Sequence, residues 1–139
     1  SRNGLTLAAL GAADDVVVVG TPDPVGLSRL ARGLVELREA VGPRPVHVVV
    51  NRHRASLGWA ESDVVGMVEG FARVLGVHFL PDDRPAVDRA LVAGRTLTDM
   101  GDSPLARALG EVVDGLLPAA AAGRPGRVRR RTAGRAHRR

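Results

Sequence analysis

Three times along this chain a short valine-rich run leads into a polar tip and then into an amphipathic stretch of helical period. The runs are residues 16–19, 46–50 and 77–80, and the tips are Thr21-Pro22-Asp23, Asn51-Arg52 and Pro81-Asp82-Asp83. A run apolar at every position suits a strand buried on both faces, which helices on either side of a parallel sheet provide. Before the first run, Leu5 to Ala13 reads as the end of a helix. Asp23-Pro24 then offers an N-cap and a first-turn proline. Leu27, Leu30, Ala31, Leu34, Leu37 and Val41 follow at helical spacing until Gly42-Pro43 stops them. After a loop at 54–59, a second helix carries Val64, Val65, Met67, Val68, Phe71, Ala72 and Leu75 and is expected to end at Gly76. Asp83 or a neighbour caps a short helix that stops at Gly94. Ser103-Pro104 repeats the device before Leu105, Ala108, Leu109, Val112, Val113 and Leu116.

The expected fold class is therefore α/β, a three-layer arrangement with a mainly parallel sheet between helices. Residues 1–118 form the domain, and 119–139 read as a disordered, Arg-rich extension. Three strands are few for such a sheet and leave open edges. With Ser1 opening the chain inside a helix, the domain reads as incomplete, its missing strands lying N-terminal.

Charge divides the chain the same way. Residues 124–139 hold eight Arg and no acid, while the remainder holds twelve Arg against fifteen acids, a balance of −3. The basicity thus belongs to the tail, where Arg127, Arg129, Arg130 and Arg131 are candidates for weak contact with nucleic acid or an anionic membrane. No aromatics are interleaved for base stacking, and a merely solvated extension explains the same residues. The chain contains no Cys, which removes thiolate nucleophiles, disulfides and thiolate metal sites. It has no apolar span of about twenty residues, so a cytoplasmic location is expected. The aromatic content of 2% leaves an aliphatic core of Val, Leu and Ala.

In sheets of this class ligands bind beyond the carboxyl ends of the strands, which makes the three tips the candidate sites. Asn51 offers an acceptor and a donor that match adenine's exocyclic amine and ring nitrogen, but an Asn also simply turns a chain after a strand. Pro81 fixes the backbone beside Asp82 and Asp83, either of which can accept from a ribose hydroxyl or base amine; helix capping explains them equally. Thr21-Pro22-Asp23 is accounted for by capping. His47, His53, His78 and His137 have no close metal-ligand spacing. No common phosphate-loop, dinucleotide-binding, nucleophile-elbow or zinc-protease motif is present.

Taken in order, these tips resemble the C-terminal half of MinD/ParA-type P-loop ATPases (the SIMIBI class), a group that includes CpaE-like pilus-assembly and septum-site proteins. The resemblance runs over about residues 8–117. It is carried by Ala13-Asp14-Asp15-Val16, Thr21-Pro22-Asp23, Val49-Val50-Asn51-Arg52, Pro81-Asp82-Asp83 and the segment from Ala90 to Gly94-Arg95. It implies a P-loop NTPase-like fold. Asn51 would read adenine, Arg52 would support it, and Pro81, Asp82 and Asp83 would line the base's other side. It further implies ATP with Mg2+ as the cofactor of the complete parent, the missing N-terminal half as partner, and a homodimer. The parent's function would be nucleotide-dependent positioning, partitioning, or pilus or septum assembly. This chain departs from the family at the phosphates: it has no Lys at all and no Gly-rich phosphate loop. Alone it is expected neither to hydrolyse ATP nor to hold it tightly. Two rivals stand beside this reading. One is a non-enzymatic nucleic-acid- or membrane-associated adaptor acting through the Arg tail. The other is a different α/β enzyme using Asp82, Asp83 or Asp88 as acid or base.

Overall fold

The computed structural model describes residues 3–117. In chain order the elements are α1 (Gly4–Ala12), β1 (Val17–Gly20), α2 (Pro24–Val41), β2 (Val46–His53), α3 (Glu61–Phe71), β3 (Val74–Pro81), α4 (Arg84–Ala93) and α5 (Pro104–Leu116). Short 3-10 turns occupy Ala55–Leu57 and Thr98–Met100. The 119–139 extension and its Arg127, Arg129, Arg130 and Arg131 lie outside the described residues. Among the described residues, no helix is long and apolar enough to cross a membrane.

The three strands form one parallel sheet in the order β1-β2-β3. Both crossovers step the same way across it, so α2 and α3 share a face. There Leu27, Leu30 and Leu34 of α2 and Val64 and Val68 of α3 pack on Val46, Val48 and Val50 of β2. On the other face α5 lays Val112, with Leu105 and Leu109, against Val49 and Leu80. The expected α/β class with a helix-flanked parallel sheet is thus observed. The central strand β2 is buried on both faces because helices cover both.

Capping chemistry sets the helix ends. The Asp23 side chain accepts from the Gly26 N–H at the start of α2, and Gly42, at φ 82°, closes it. Asp83 and Ser103 cap α4 and α5 in the same manner. Arg44 anchors α1: its guanidinium donates to the carbonyls of Leu10 (2.8 Å), Ala13 and Asp14 (2.9 Å), at and just beyond the helix C-terminus.

Three sequence expectations are corrected. Helix α3 stops at Phe71, so Leu75 and Gly76 belong to β3 instead of the helix and its stop. The Val46 N–H bonds to the Arg73 carbonyl and Val46 pairs with Val74, which draws the chain into the sheet early. Gly76 makes room: a Cβ there would lie 3.2 Å from His78 Nε2, and one on Gly115 of α5 would lie 3.0 Å from His78 Cε1. The second correction concerns β1, which is not buried on both faces. Val17 and Val19 are 39% and 62% exposed, because among the described residues no helix covers that face of this edge strand. The third places Asn51-Arg52 within β2 instead of in a loop after it.

Candidate functional site at the carboxyl edge of the sheet

Near its carboxyl end β2 carries one residue more than β3. Val50 pairs with Phe79 and His53 with Pro81, so three steps on one strand match two on the other. The extra residue is absorbed as a bulge with Arg52 at φ 61°, the only non-glycine residue of positive φ among those described. The Asn51 side-chain oxygen accepts the Arg52 N–H at 2.9 Å and so supports the turn. The bulge takes Asn51 and Arg52 out of strict alternation and sets them on the rim of the sheet.

There they meet the third tip. Asn51, Arg52, Pro81, Asp82 and Asp83, the five residues expected at a base, line one groove of about 440 Å3. Val87 of α4 and Leu105 of α5 give it apolar walls, and Arg84 and Asp88 add charge. The Asp82 N–H donates to the His53 carbonyl at 3.0 Å, which ties the turn to β2.

The structure separates the two adjacent aspartates. Asp83 accepts the Ala86 N–H at 3.3 Å and the Leu105 N–H at 3.4 Å, joining the starts of α4 and α5. Its carboxylate is therefore largely committed to holding the groove's wall. Asp82 caps nothing, and among the described residues its one ionic neighbour is Arg54, with Nε 3.7 Å from Oδ2. Of the pair, Asp82 has the carboxylate with capacity to spare.

At the first tip the Thr21 hydroxyl donates to Asp23 Oδ1 at 2.6 Å and the Gly26 N–H donates to Oδ2 at 2.9 Å. The Thr21 hydrogen bond, then that from Gly26, hold the Asp23 carboxyl below the ordinary aspartate range. Both oxygens are engaged, as a capping role requires.

Two side chains were missed by sequence reasoning. Arg54 and Arg84 join Thr21, Arg52, Leu57 and Asp82 around an adjoining cavity of about 260 Å3. Their convergence follows from the β2–β3 register, which no local motif encodes. The described histidines lie elsewhere, and His137 is outside the described residues. His47 is buried and stacks at 6.4 Å on His78, and His53 sits 3.4 Å from Glu61 and edge-on to Phe79. Among the described residues no group of three or more potential metal ligands is assembled. Trp59 borders an apolar groove between α2 and α3 with Leu27, Met67 and Phe71.

The left-handed turn gives a first prediction. Arg52→Gly removes the Cβ clash of positive φ and is expected to raise the unfolding free energy by about 1 kcal/mol, measured by urea denaturation. A loss of stability would mean that the Arg52 side chain holds the edge together.

Compared with known proteins, the chain matches no protein-family model, no curated protein sequence and no solved structure.

Proposed function

We propose that the carboxyl edge of this sheet holds the adenine end of a nucleotide, as the adenine-side half of a larger MinD/ParA/CpaE-like ATPase domain. One observation carries the reading: five residues selected for base recognition line a single groove. Its chemistry suits a purine. Val87 and Leu105 offer apolar surface, Asn51 a donor with an acceptor, and Asp82 a carboxylate for an exocyclic amine or ribose hydroxyl. Further support comes from β1: among the described residues its outer edge is unpaired and Val17 and Val19 are bare, and additional strands with a covering helix would satisfy both.

In this reading a separate part of the domain supplies the phosphate loop, and the complete protein binds ATP with Mg2+, dimerises and positions cellular cargo. The fit of these residues is to the base and its ribose, not to a phosphate loop. With no lysine and no Gly-rich loop, this chain has no part in gripping the phosphates as that family does, and no hydrolytic step is assigned to it.

Adenosine titrated into the 139-residue chain is expected to shift the amide NMR signals of Asn51, Arg52, Asp82 and Val87 saturably. The expected Kd is about 1 mM, the range of about 4 kcal/mol of binding free energy. Cytidine should bind more weakly, and Asn51→Ala should weaken adenosine about tenfold through loss of its paired hydrogen bonds. Equal responses to both nucleosides, or no saturable shift, would contradict the proposal.

A further inference from the structure

The strain at Arg52 is not required by the turn, which glycine would make at lower cost. What arginine adds is a guanidinium on the wall shared by the base groove and the adjoining cavity of about 260 Å3. That second cavity also presents Arg54 and Arg84, with Asp23 and Asp82 as its carboxylates. Asp23 is engaged at both oxygens, accepting from the Thr21 hydroxyl and the Gly26 N–H, while Asp82 has a single ion-pair neighbour among the described residues, Arg54, with Nε 3.7 Å away. Among the described residues neither Arg52 nor Arg84 has a carboxylate within ion-pair distance. Two uncompensated guanidiniums and a third partly offset by Asp82 therefore border one small cavity.

We infer that Arg52, Arg54 and Arg84 form a binding pocket for a single phosphate group. Guanidinium forks match the oxygens of a phosphate, and a strained backbone kept for its side chain is expected where that side chain meets a ligand. Asp82 partly offsets the charge of Arg54 at 3.7 Å, while Arg52 and Arg84 supply the charge without an ion-pair partner among the described residues. The phosphate is either free inorganic phosphate or the phosphoryl group of a nucleotide whose base occupies the neighbouring groove. The pocket goes beyond the adenine reading and stands without it, since it rests on the arginines alone.

The test is a titration of the full chain with sodium phosphate against sodium chloride at matched ionic strength, followed through assigned arginine Nε–Hε NMR signals. Phosphate, and not chloride, is expected to shift Arg52, Arg54 and Arg84 saturably. Arg52→Gly and Arg84→Gln should each weaken phosphate about tenfold or more, the loss of one charge-assisted hydrogen bond or two. Thermal unfolding checks that each variant is folded, and Arg107→Ala, which removes the exposed arginine beside Asp102, should bind as the parent does. Adenosine 5′-monophosphate binding about tenfold tighter than phosphate or adenosine identifies a nucleotide as the source, and equal affinity for phosphate and the nucleotide identifies the free ion. Shifts confined to arginines beyond residue 117, a response equal to that of chloride, or unchanged affinity in both pocket variants overturns the inference. Phosphate binding without adenosine binding sinks only the base reading, and the reverse result sinks only this one.

Discussion

Leu34→Ala is expected to lower the unfolding free energy by about 3 kcal/mol, more than any other substitution proposed for this chain. Leu34 is 1% exposed, on the inner face of α2 among Val46, Val48, Val50 and Val68. Removing its isobutyl group forfeits transfer free energy and leaves a void that the valine lattice of β2 cannot fill, because β-branched side chains have little rotamer freedom. Leu34 also borders a cavity of about 450 Å3 at the amino end of β2, so truncation would enlarge an existing opening. Urea unfolding should show a lower midpoint with an unchanged slope. Val19→Ala supplies the contrast. At 62% exposed on the uncovered face of β1, Val19 should cost less than about 0.5 kcal/mol to truncate. A cost at Val19 like that at Leu34 would show that face to be covered in solution.

The second large effect reverses a familiar sign. A glycine replaced by alanine within a helix ordinarily stabilises by about 1 kcal/mol. Gly26→Ala is expected to destabilise by about 2 kcal/mol, because its new Cβ would lie 2.5 Å from the Thr21 carbonyl oxygen and 2.8 Å from Asp23 Oδ1. The carbonyl belongs to the backbone and cannot swing aside. Gly33→Ala, in the same helix with nothing within 4 Å of its Cβ, should stabilise. Thermal denaturation of the two variants decides the matter, and a stabilised Gly26→Ala would contradict the packing described at the first tip. The pH dependence should follow. Asp23 has a lowered pKa in the folded chain, so its contribution is complete above about pH 4 and is lost as pH falls through the folded value. Gly26→Ala displaces that carboxylate and should blunt this acid sensitivity.

Much of the fold was legible because its signals are local. Asp23-Pro24 and Ser103-Pro104 carry their own capping chemistry, and the apolar stripe of α2 repeats at helical spacing without help from the rest of the chain. What was not legible depends on partners distant in sequence. Leu75 falls four residues after Phe71 and fits a helical stripe, yet pairing of Val46 with Val74 places it in a strand. Val16 to Val19 is apolar throughout, but whether a helix covers its second face is a property of topology and not of composition. At the site, Asn51 and the Pro81 turn were paired only by the resemblance, and they meet in the structure because β2 and β3 are neighbours in the sheet. The bulge at Arg52 was hidden, because arginine gives no hint of positive φ. The division of labour between Asp82 and Asp83 was hidden as well. It depends on Leu105, twenty-two residues from Asp83, donating its N–H to that carboxylate.

The central claim is that the groove between Asn51 and the Pro81 turn takes a purine base, and intermolecular NOEs from bound adenosine test it most directly. Contacts are expected from adenine H2 or H8 to the Asn51 side-chain amide and to methyl groups of Val87 and Leu105. Contacts made instead to Trp59, Met67 and Phe71, in the apolar groove between α2 and α3, would contradict it.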